Sequence, residues 1–233
     1  MRQALKKHAF PRILCAVVIL IAFLTYKPGT FLSGWDTLHP EFDFPLNFKR
    51  LILGVWRGEQ GLGAVAGHSH MADLPRVFIL WASHFVVPLN TLRYLYLFLC
   101  LLLGPFGMYY LCVYLGKNVI LGRSEATTPE SADSGQVPRL RSGQARMTKK
   151  QTSFLVAFLT ALFYLLNLST LQQFYTPFEM FPTQYAFLPW IMLYSIKFLG
   201  EGGKKNLTLF ALFTLFATPQ AYAAHLWYAF FGV

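Results

Sequence analysis

Charged residues are scarce in this sequence. Of its 233 residues 13% are charged, about half of the roughly 25% that soluble domains contain. Hydrophobic residues make up 55%, the mean hydropathy is +0.43, and the apolar residues are concentrated in long blocks. These values exclude an ordinary water-soluble globule and a disordered chain. They predict an integral membrane protein.

Cysteines are also few. Cys15, Cys100 and Cys112 all fall inside apolar runs, and none belongs to a CxxC or CxxH spacing. This pattern excludes a disulfide scaffold and predicts small buried hydrophobic side chains rather than a metal or redox site.

Five apolar segments are candidates for membrane spans. The first, 13–26, follows a basic N-terminus, extends from about Phe10 and is expected to be an uncleaved signal anchor because no small-x-small cleavage site follows it. The other four segments are 92–116, 154–171, 185–199 and the segment from Leu207 onwards. The predicted fold class is therefore all-α: a single polytopic transmembrane helical bundle of about five spans over 1–233.

One shorter apolar segment, 77–89, is ambiguous. It is too short to cross a hydrocarbon core of about 30 Å as a helix, and it contains Ser83, His84 and Pro88. It could be a short span, a re-entrant helix or a helix lying on the surface. The lysine and arginine distribution decides for five spans, since a sixth would export the most basic loop of the chain.

The five-span arrangement explains the net charge of +10. It places fourteen lysines and arginines inside against six outside, and four acids inside against six outside. The positive-inside rule then predicts a cytoplasmic N-terminus in the cell inner (plasma) membrane, a first outer loop at 27–91 and a flexible, basic cytoplasmic linker at 117–152. The linker could bind anionic lipid heads or could simply be solvated. The charge gives no reason to expect nucleic acid as a partner.

The first outer loop contains the candidate chemistry. Asp36, His39, Glu41 and Asp43 lie within eight residues of one another, directly after the membrane exit. A carboxylate that is partly desolvated at the bilayer surface becomes a better base, and it could take the proton from a sugar hydroxyl attacking an activated anomeric carbon. Asp36 is the leading candidate, since Trp35 could desolvate it, and Glu41 and Asp43 are reserve candidates.

Further residues of the outer side are candidates for substrate binding. Segment 46–56 has apolar residues at helical spacing and predicts a helix in the interface plane, with Arg57 on its polar edge. His68 and His70 could form part of a metal site with Asp73, although no ligand spacing is complete, so a divalent metal is possible but no ligand set is predicted. Tyr175 and Glu179 lie in a short aromatic outer loop whose rings suit sugar or prenyl contacts or simple interfacial anchoring.

The pattern resembles a known superfamily. A basic N-terminus, one span and a long outer loop opening with a WD motif are typical of GT-C-fold glycosyltransferases. The matching segments, which look most like the bacterial arabinofuranosyltransferase D type and YfhO-like membrane proteins, are GWDTLHPEFDF, GVWRGEQGLG, LPRVFILWASHFVVPLN, LRYLYLFLCLLLGPFGMYYL and FYTPFEMFPTQYAFLPWIMLYSIKFL. The resemblance covers most of the chain except 122–150.

This resemblance implies the function that we expect. GT-C enzymes transfer a sugar from a polyprenyl-phosphate donor on the outer face of the membrane, with an acid of the first outer loop as base, which maps onto Asp36. The acceptor would be a cell-envelope glycan or lipid. Such enzymes are usually longer, so we expect an N-terminal part of a larger module. The alternative is a non-enzymatic transporter, flippase or assembly factor for lipid-linked glycans, for which Gln220, His84 and His225 in apolar surroundings give modest support.

Overall fold

The computed structural model describes residues 2–33, 39–53, 56–57, 62–65, 70–125, 142–175, 177, 180–222 and 228. Its helices are α1 (Arg2–Thr25), α2 (Phe44–Leu53), α3 (Leu74–Ser83), α4 (Leu89–Glu125), α5 (Ser142–Leu166), α6 (Leu168–Tyr175), α7 (Met180–Glu201) and α8 (Lys204–Phe216). Three short 3₁₀ turns are Pro40–Phe42, His70–Asp73 and Thr218–Tyr222, and one antiparallel pair joins β1 (Trp56–Arg57) to β2 (Ala64–Val65). The all-α prediction is confirmed for this part of the chain.

α4 is the centre of the bundle, and α1 and α5 both run antiparallel to it. Near one end Leu14 of α1 packs with Tyr109 and Ala157. At the other end the Tyr26 hydroxyl hydrogen-bonds the Thr91 hydroxyl at 2.9 Å. Because α1 and α5 flank the same stretch of α4, these three helices bury a continuous apolar seam.

α7 runs parallel to α4. The Tyr96 hydroxyl is 2.7 Å from the Thr183 hydroxyl, and the Trp190 indole N–H donates to the Leu103 carbonyl at 2.9 Å. α8 then returns antiparallel along α7, with Phe213 stacked on Trp190 at 5.2 Å between ring centroids. α1, α4, α5, α7 and α8 therefore alternate in direction in chain order. The crossing of a membrane by all five stays a prediction.

Two glycines allow the close approach of α4 to α7. A Cβ at Gly107 would lie 2.7 Å from the Trp190 indole nitrogen and 3.0 Å from Pro189, and a Cβ at Gly104 would overlap the Tyr185 ring. Small residues of this kind let helix backbones approach closely in membrane proteins.

One helical segment in the described part of the chain, Leu89–Lys117, is long and apolar enough by itself to cross a membrane. The pair Ser153–Leu166 and Leu168–Tyr175 passes the same test if its 42° bend belongs to one span, and Ala9–Thr25 is apolar but shorter. Large apolar side chains are exposed on these helices, with Phe23 80% and Phe163 73% accessible. A soluble monomer rarely leaves so many of them in contact with water.

The predicted third span, 154–171, is interrupted at Asn167. The Asn167 side-chain amide donates to the Tyr164 carbonyl at 2.9 Å, while its side-chain oxygen accepts the Thr170 backbone N–H at 3.0 Å. Asn167 thereby closes α5 and caps α6, which is a role that asparagine favours. The later aromatic loop shrinks to 176–179 because α6 continues to Tyr175.

Helices enter both ends of the predicted linker, 117–152. α4 continues to Glu125 and α5 begins at Ser142, so 117–125 and 142–152 are helical, and 126–141 lies outside the described residues. Extending a helix that has already formed orders one residue for each hydrogen bond gained, so the helices continue beyond their apolar segments.

The last predicted span, from Leu207 onwards, is interrupted as the third span is. α8 ends at Phe216, and a 3₁₀ turn that contains Pro219 follows it.

The loop between α1 and α4, here called the first loop (27–88), has its own helices. The interfacial helix predicted at 46–56 is α2, and it ends at Leu53 before β1. α3 has ten residues, which span about 15 Å at 1.5 Å per residue, only half of the hydrocarbon thickness. α3 buries Val77 and Leu80 in the same core as Leu92, so it packs on the end of the bundle where α4 begins.

The α4–α7 contact gives the first testable prediction. Gly107→Ala places a methyl group against Trp190, so we expect it to lower the free energy of unfolding in detergent by about 1–3 kcal/mol. Gly200→Ala is the matched control, because its Cβ would meet only the Tyr114 hydroxyl, at 3.9 Å. Thermal unfolding of the purified chain measures both variants, and equal stability of the two would contradict the close packing.

Candidate functional site

Polar contacts fasten the start of the first loop to the first turns of α4. The Thr30 hydroxyl is 3.0 Å from the Tyr94 hydroxyl, and the Tyr26 ring meets the Tyr94 ring edge-on at 5.1 Å. A guanidinium N–H of Arg93 donates to the Leu32 carbonyl at 3.2 Å. These contacts hold the chain immediately before 34–38, the segment that contains the WD motif.

Three ionisable side chains meet on the other flank of that segment. His39 Nδ1 is 3.1 Å from Glu41 Oε1 and 2.9 Å from Arg93 Nη1, and Arg93 Nε is 3.9 Å from Glu41 Oε1. Glu41 and Arg93 are each 2% exposed, while the His39 side chain is 14% exposed. A histidine at the rim therefore covers a buried carboxylate–guanidinium pair.

His39 can connect the other two side chains through both of its ring nitrogens. Its Nδ1 is 3.1 Å from Glu41 Oε1, and its Nε2 is 3.3 Å from Arg93 Nη1. A guanidinium only donates, so the tautomer with its hydrogen on Nδ1 donates to Glu41 and accepts from Arg93 through Nε2. The imidazole therefore bridges the buried acid and the buried guanidinium.

One carboxylate oxygen of Glu41 can accept a further hydrogen bond. Its Oε2 is buried and has no hydrogen-bond partner among the described residues. A buried carboxylate oxygen without a partner is costly, and such groups are found where a substrate hydroxyl or a water completes the site. Glu41, a reserve candidate in the sequence, is therefore the acid of this cluster.

Asp43, the other reserve candidate, has a local structural role. Its Oδ1 accepts the Leu46 backbone N–H at 2.9 Å, and its carbonyl accepts the Asn47 side-chain amide at 2.7 Å. Asp43 directly precedes α2, so these bonds make it the N-cap of that helix.

A second buried cluster lies where α3 begins. Arg76 donates through Nε to Asp73 Oδ1 at 2.7 Å, and through Nη2 to Asp73 Oδ2. The Arg76 guanidinium lies 6.0 Å from the Tyr96 ring centroid, and the Tyr96 hydroxyl in turn meets Thr183. This chain of contacts connects the first loop to α4 and α7.

Neither arginine is among the site residues predicted from the sequence. Arg76 and Arg93 are 3% and 2% exposed. Each flanks an apolar segment, and a cation in such a position is expensive unless it is paired, which is the signal that could have found them. His84, by contrast, is satisfied locally by the Trp81 carbonyl and by contact with the Phe44 ring at 5.2 Å between centroids.

The other predicted site residues are not brought together by what the structure describes. Tyr175 is 86% exposed at the end of α6. Arg57 lies in β1, and His70 is the first residue of the second 3₁₀ turn. The structure describes the backbone of these two residues and not their side chains. Asp36, His68, Glu179 and His225 lie outside the described residues.

The described residues contain no group of three or more histidine, cysteine, aspartate or glutamate side chains that could hold a metal ion. The possibility of a divalent metal therefore stays a prediction. The chain matches no protein-family model, no curated protein and no solved structure.

The buried pair gives the second prediction. Arg93→Gln leaves the Glu41 carboxylate buried without its cation, so we expect a loss of about 3 kcal/mol in the free energy of unfolding. Combining it with Glu41→Gln should recover part of that loss, because no charge then remains buried. Lys27→Gln, at an exposed position, is the control and should change stability by less than about 0.5 kcal/mol. Chemical denaturation of the two single variants and the double variant measures these changes. If the losses in the free energy of unfolding of Arg93→Gln and Glu41→Gln simply add in the double variant, the pairing is contradicted.

Proposed function

We propose that this chain is part of a polytopic membrane glycosyltransferase of the GT-C type. It would transfer a sugar from a polyprenyl-phosphate donor to a cell-envelope glycan or lipid acceptor on the outer face of the inner membrane. The observation that supports this most directly is the buried Glu41–Arg93 pair with His39, fastened to α4 on the flank of the WD segment. It gives the acid-rich part of the loop a fixed position at one end of the helical bundle.

Membrane insertion through five spans is supported by the packing. The long helices alternate in direction, and α4 and α7, which run parallel, must then both cross from the first-loop side to the opposite side. Lys117 and Lys197 lie in the far halves of α4 and α7, and Lys204 and Lys205 begin α8 just after α7 ends. A cytoplasmic position for that end agrees with the positive-inside rule and puts the first loop outside.

The reaction that we propose is a direct displacement at the anomeric carbon. Asp36 takes the proton of an acceptor hydroxyl, whose oxygen forms the new bond to the anomeric carbon. The bond from that carbon to the phosphate oxygen breaks, and its electron pair leaves with the polyprenyl phosphate. Glu41 and His39 would orient the acceptor, and Arg93 would hold both side chains in position.

The base assignment gives the third prediction. Asp36→Asn should lower sugar transfer by about 10²–10⁴-fold, the usual contribution of a general base, without altering membrane insertion. Asp43→Asn is the matched control: asparagine caps a helix as well as aspartate does, so α2 should be preserved and transfer should persist. Membranes from cells expressing each variant, supplied with a panel of radiolabelled polyprenyl-phosphate sugars, measure transfer.

Either of two results would refute this assignment. If Asp36→Asn retains transfer, Asp36 is not the base. If the unaltered chain transfers no sugar from any donor in the panel, it is not the catalytic module by itself.

The topology gives the fourth prediction, and it separates the enzyme from a transporter. In a chain whose three native cysteines are replaced by serine, Thr37→Cys should react in intact cells with a maleimide that does not cross membranes. Ala132→Cys, in the predicted cytoplasmic segment, should react only after permeabilisation. Labelling of Thr37→Cys from the cytoplasm alone would remove the proposed site from its substrates, and labelling from both sides in turn would favour the transporter.

A further inference from the structure

A cleft opens between α4 and α7 at the end of the bundle opposite the first loop. Its volume is about 260 Å³. Six of its lining side chains, at the same four-then-three spacing along each helix, are Tyr110, Tyr114 and Lys117 of α4 and Trp190, Tyr194 and Lys197 of α7. The spacing repeats because the helices run parallel and present matching faces.

The cleft is positively charged. Lys117 and Lys197 both line it, and none of its lining residues is acidic. The Lys197 ammonium lies 5.2 Å from the centroids of the Tyr114 and Tyr194 rings, so cation–π attraction holds it in place without neutralising it. Neither lysine forms an ion pair with any described side chain. Among the described residues, the cleft therefore presents two cations and no carboxylate to an anion.

Contacts within the bundle hold the walls of the cleft in place. The Trp190 N–H is used by the Leu103 carbonyl, and Phe213 of α8 stacks on both Trp190 and Tyr194, at 5.2 and 5.5 Å. Binding of a molecule in the cleft would therefore cost little additional side-chain entropy.

The position of the cleft relative to the predicted hydrocarbon boundary indicates which kind of anion would fit it. The apolar segment predicted at 92–116 ends directly before Lys117, so the two lysines lie where that predicted span would leave the hydrocarbon. Val113 and Leu193 line the cleft about one turn closer to the apolar side. A ligand that fills it needs a negative group at the lysines and an apolar part beside these residues, which is the chemistry of an anionic lipid.

We propose that this cleft binds the phosphate headgroup of an anionic phospholipid from the cytoplasmic leaflet. The two ammonium groups would bind the phosphodiester, the tyrosine hydroxyls would donate to its oxygens, and the first acyl carbons would lie against Val113 and Leu193. The proposal requires that α4 spans a membrane, but it does not depend on glycosyl transfer.

Native mass spectrometry of the full chain, released from nanodiscs of equimolar phosphatidylglycerol and phosphatidylcholine, tests this proposal. The unaltered chain should retain phosphatidylglycerol preferentially. Lys117→Gln combined with Lys197→Gln should reduce that preference roughly 30-fold, the expectation for two cations near a membrane surface. Lys204→Gln with Lys205→Gln is the control: it removes the same charge from exposed positions at the same end of the bundle.

An equal loss in both double variants would mean diffuse surface attraction and would overturn the site, as would no preference in the unaltered chain. Lys117→Arg with Lys197→Arg should keep the preference, and its loss there would count against a charge-based site. Adding 10-fold excess inorganic phosphate over lipid should leave the lipid bound. Displacement would show a soluble phosphate site instead.

Discussion

The parallel packing of α4 against α7 is the constraint on which the rest of the structure depends. This packing is possible only because Gly104 and Gly107 leave room for the Tyr185 and Trp190 side chains. The hydrogen bond from Trp190 to the Leu103 carbonyl fixes the position of α7 along the axis of α4. Two parallel helices in one chain need a returning helix between them, and α5 supplies it. The same parallel arrangement puts the starts of both helices under the first loop and their basic ends together on the far side.

Buried charge decides how the first loop lies on this bundle. Arg93 belongs to α4 and Arg76 to α3, and both are almost fully buried. Removing a guanidinium from water is costly unless a carboxylate accompanies it. Glu41 and Asp73 provide those carboxylates. The first pair connects the two ends of the loop across 52 positions of sequence, so the position of the acid-rich segment is set by electrostatics as well as by apolar packing.

Most of the helices could be predicted from the sequence because long apolar segments need no partner to be recognised. The positions of α1, α4 and α7 agree with the predicted spans to within a few residues, apart from polar extensions at their ends. The break at Asn167 was missed because a single capping side chain decides it. The Asp73–Arg76 pair is local and could have been found from its three-residue spacing. The approach of Glu41 to Arg93 could not, since it depends on how the loop folds back onto α4. The roles of Asp36, His68 and Glu179 stay predictions.

The cations at the two ends of the bundle have different neighbours. Near the first loop, Arg76 and Arg93 are buried and matched by acids. At the far end, Lys197 lies beside the Tyr114 and Tyr194 rings rather than beside a carboxylate, and Lys117 lines the same cleft. A cation left unmatched at the boundary of an apolar helix is favourable where the surrounding lipid is anionic, as in the cytoplasmic leaflet. The paired arginines have a different consequence: separating either guanidinium from its carboxylate would leave a buried charge without a partner, so these pairs hold the first loop against the bundle.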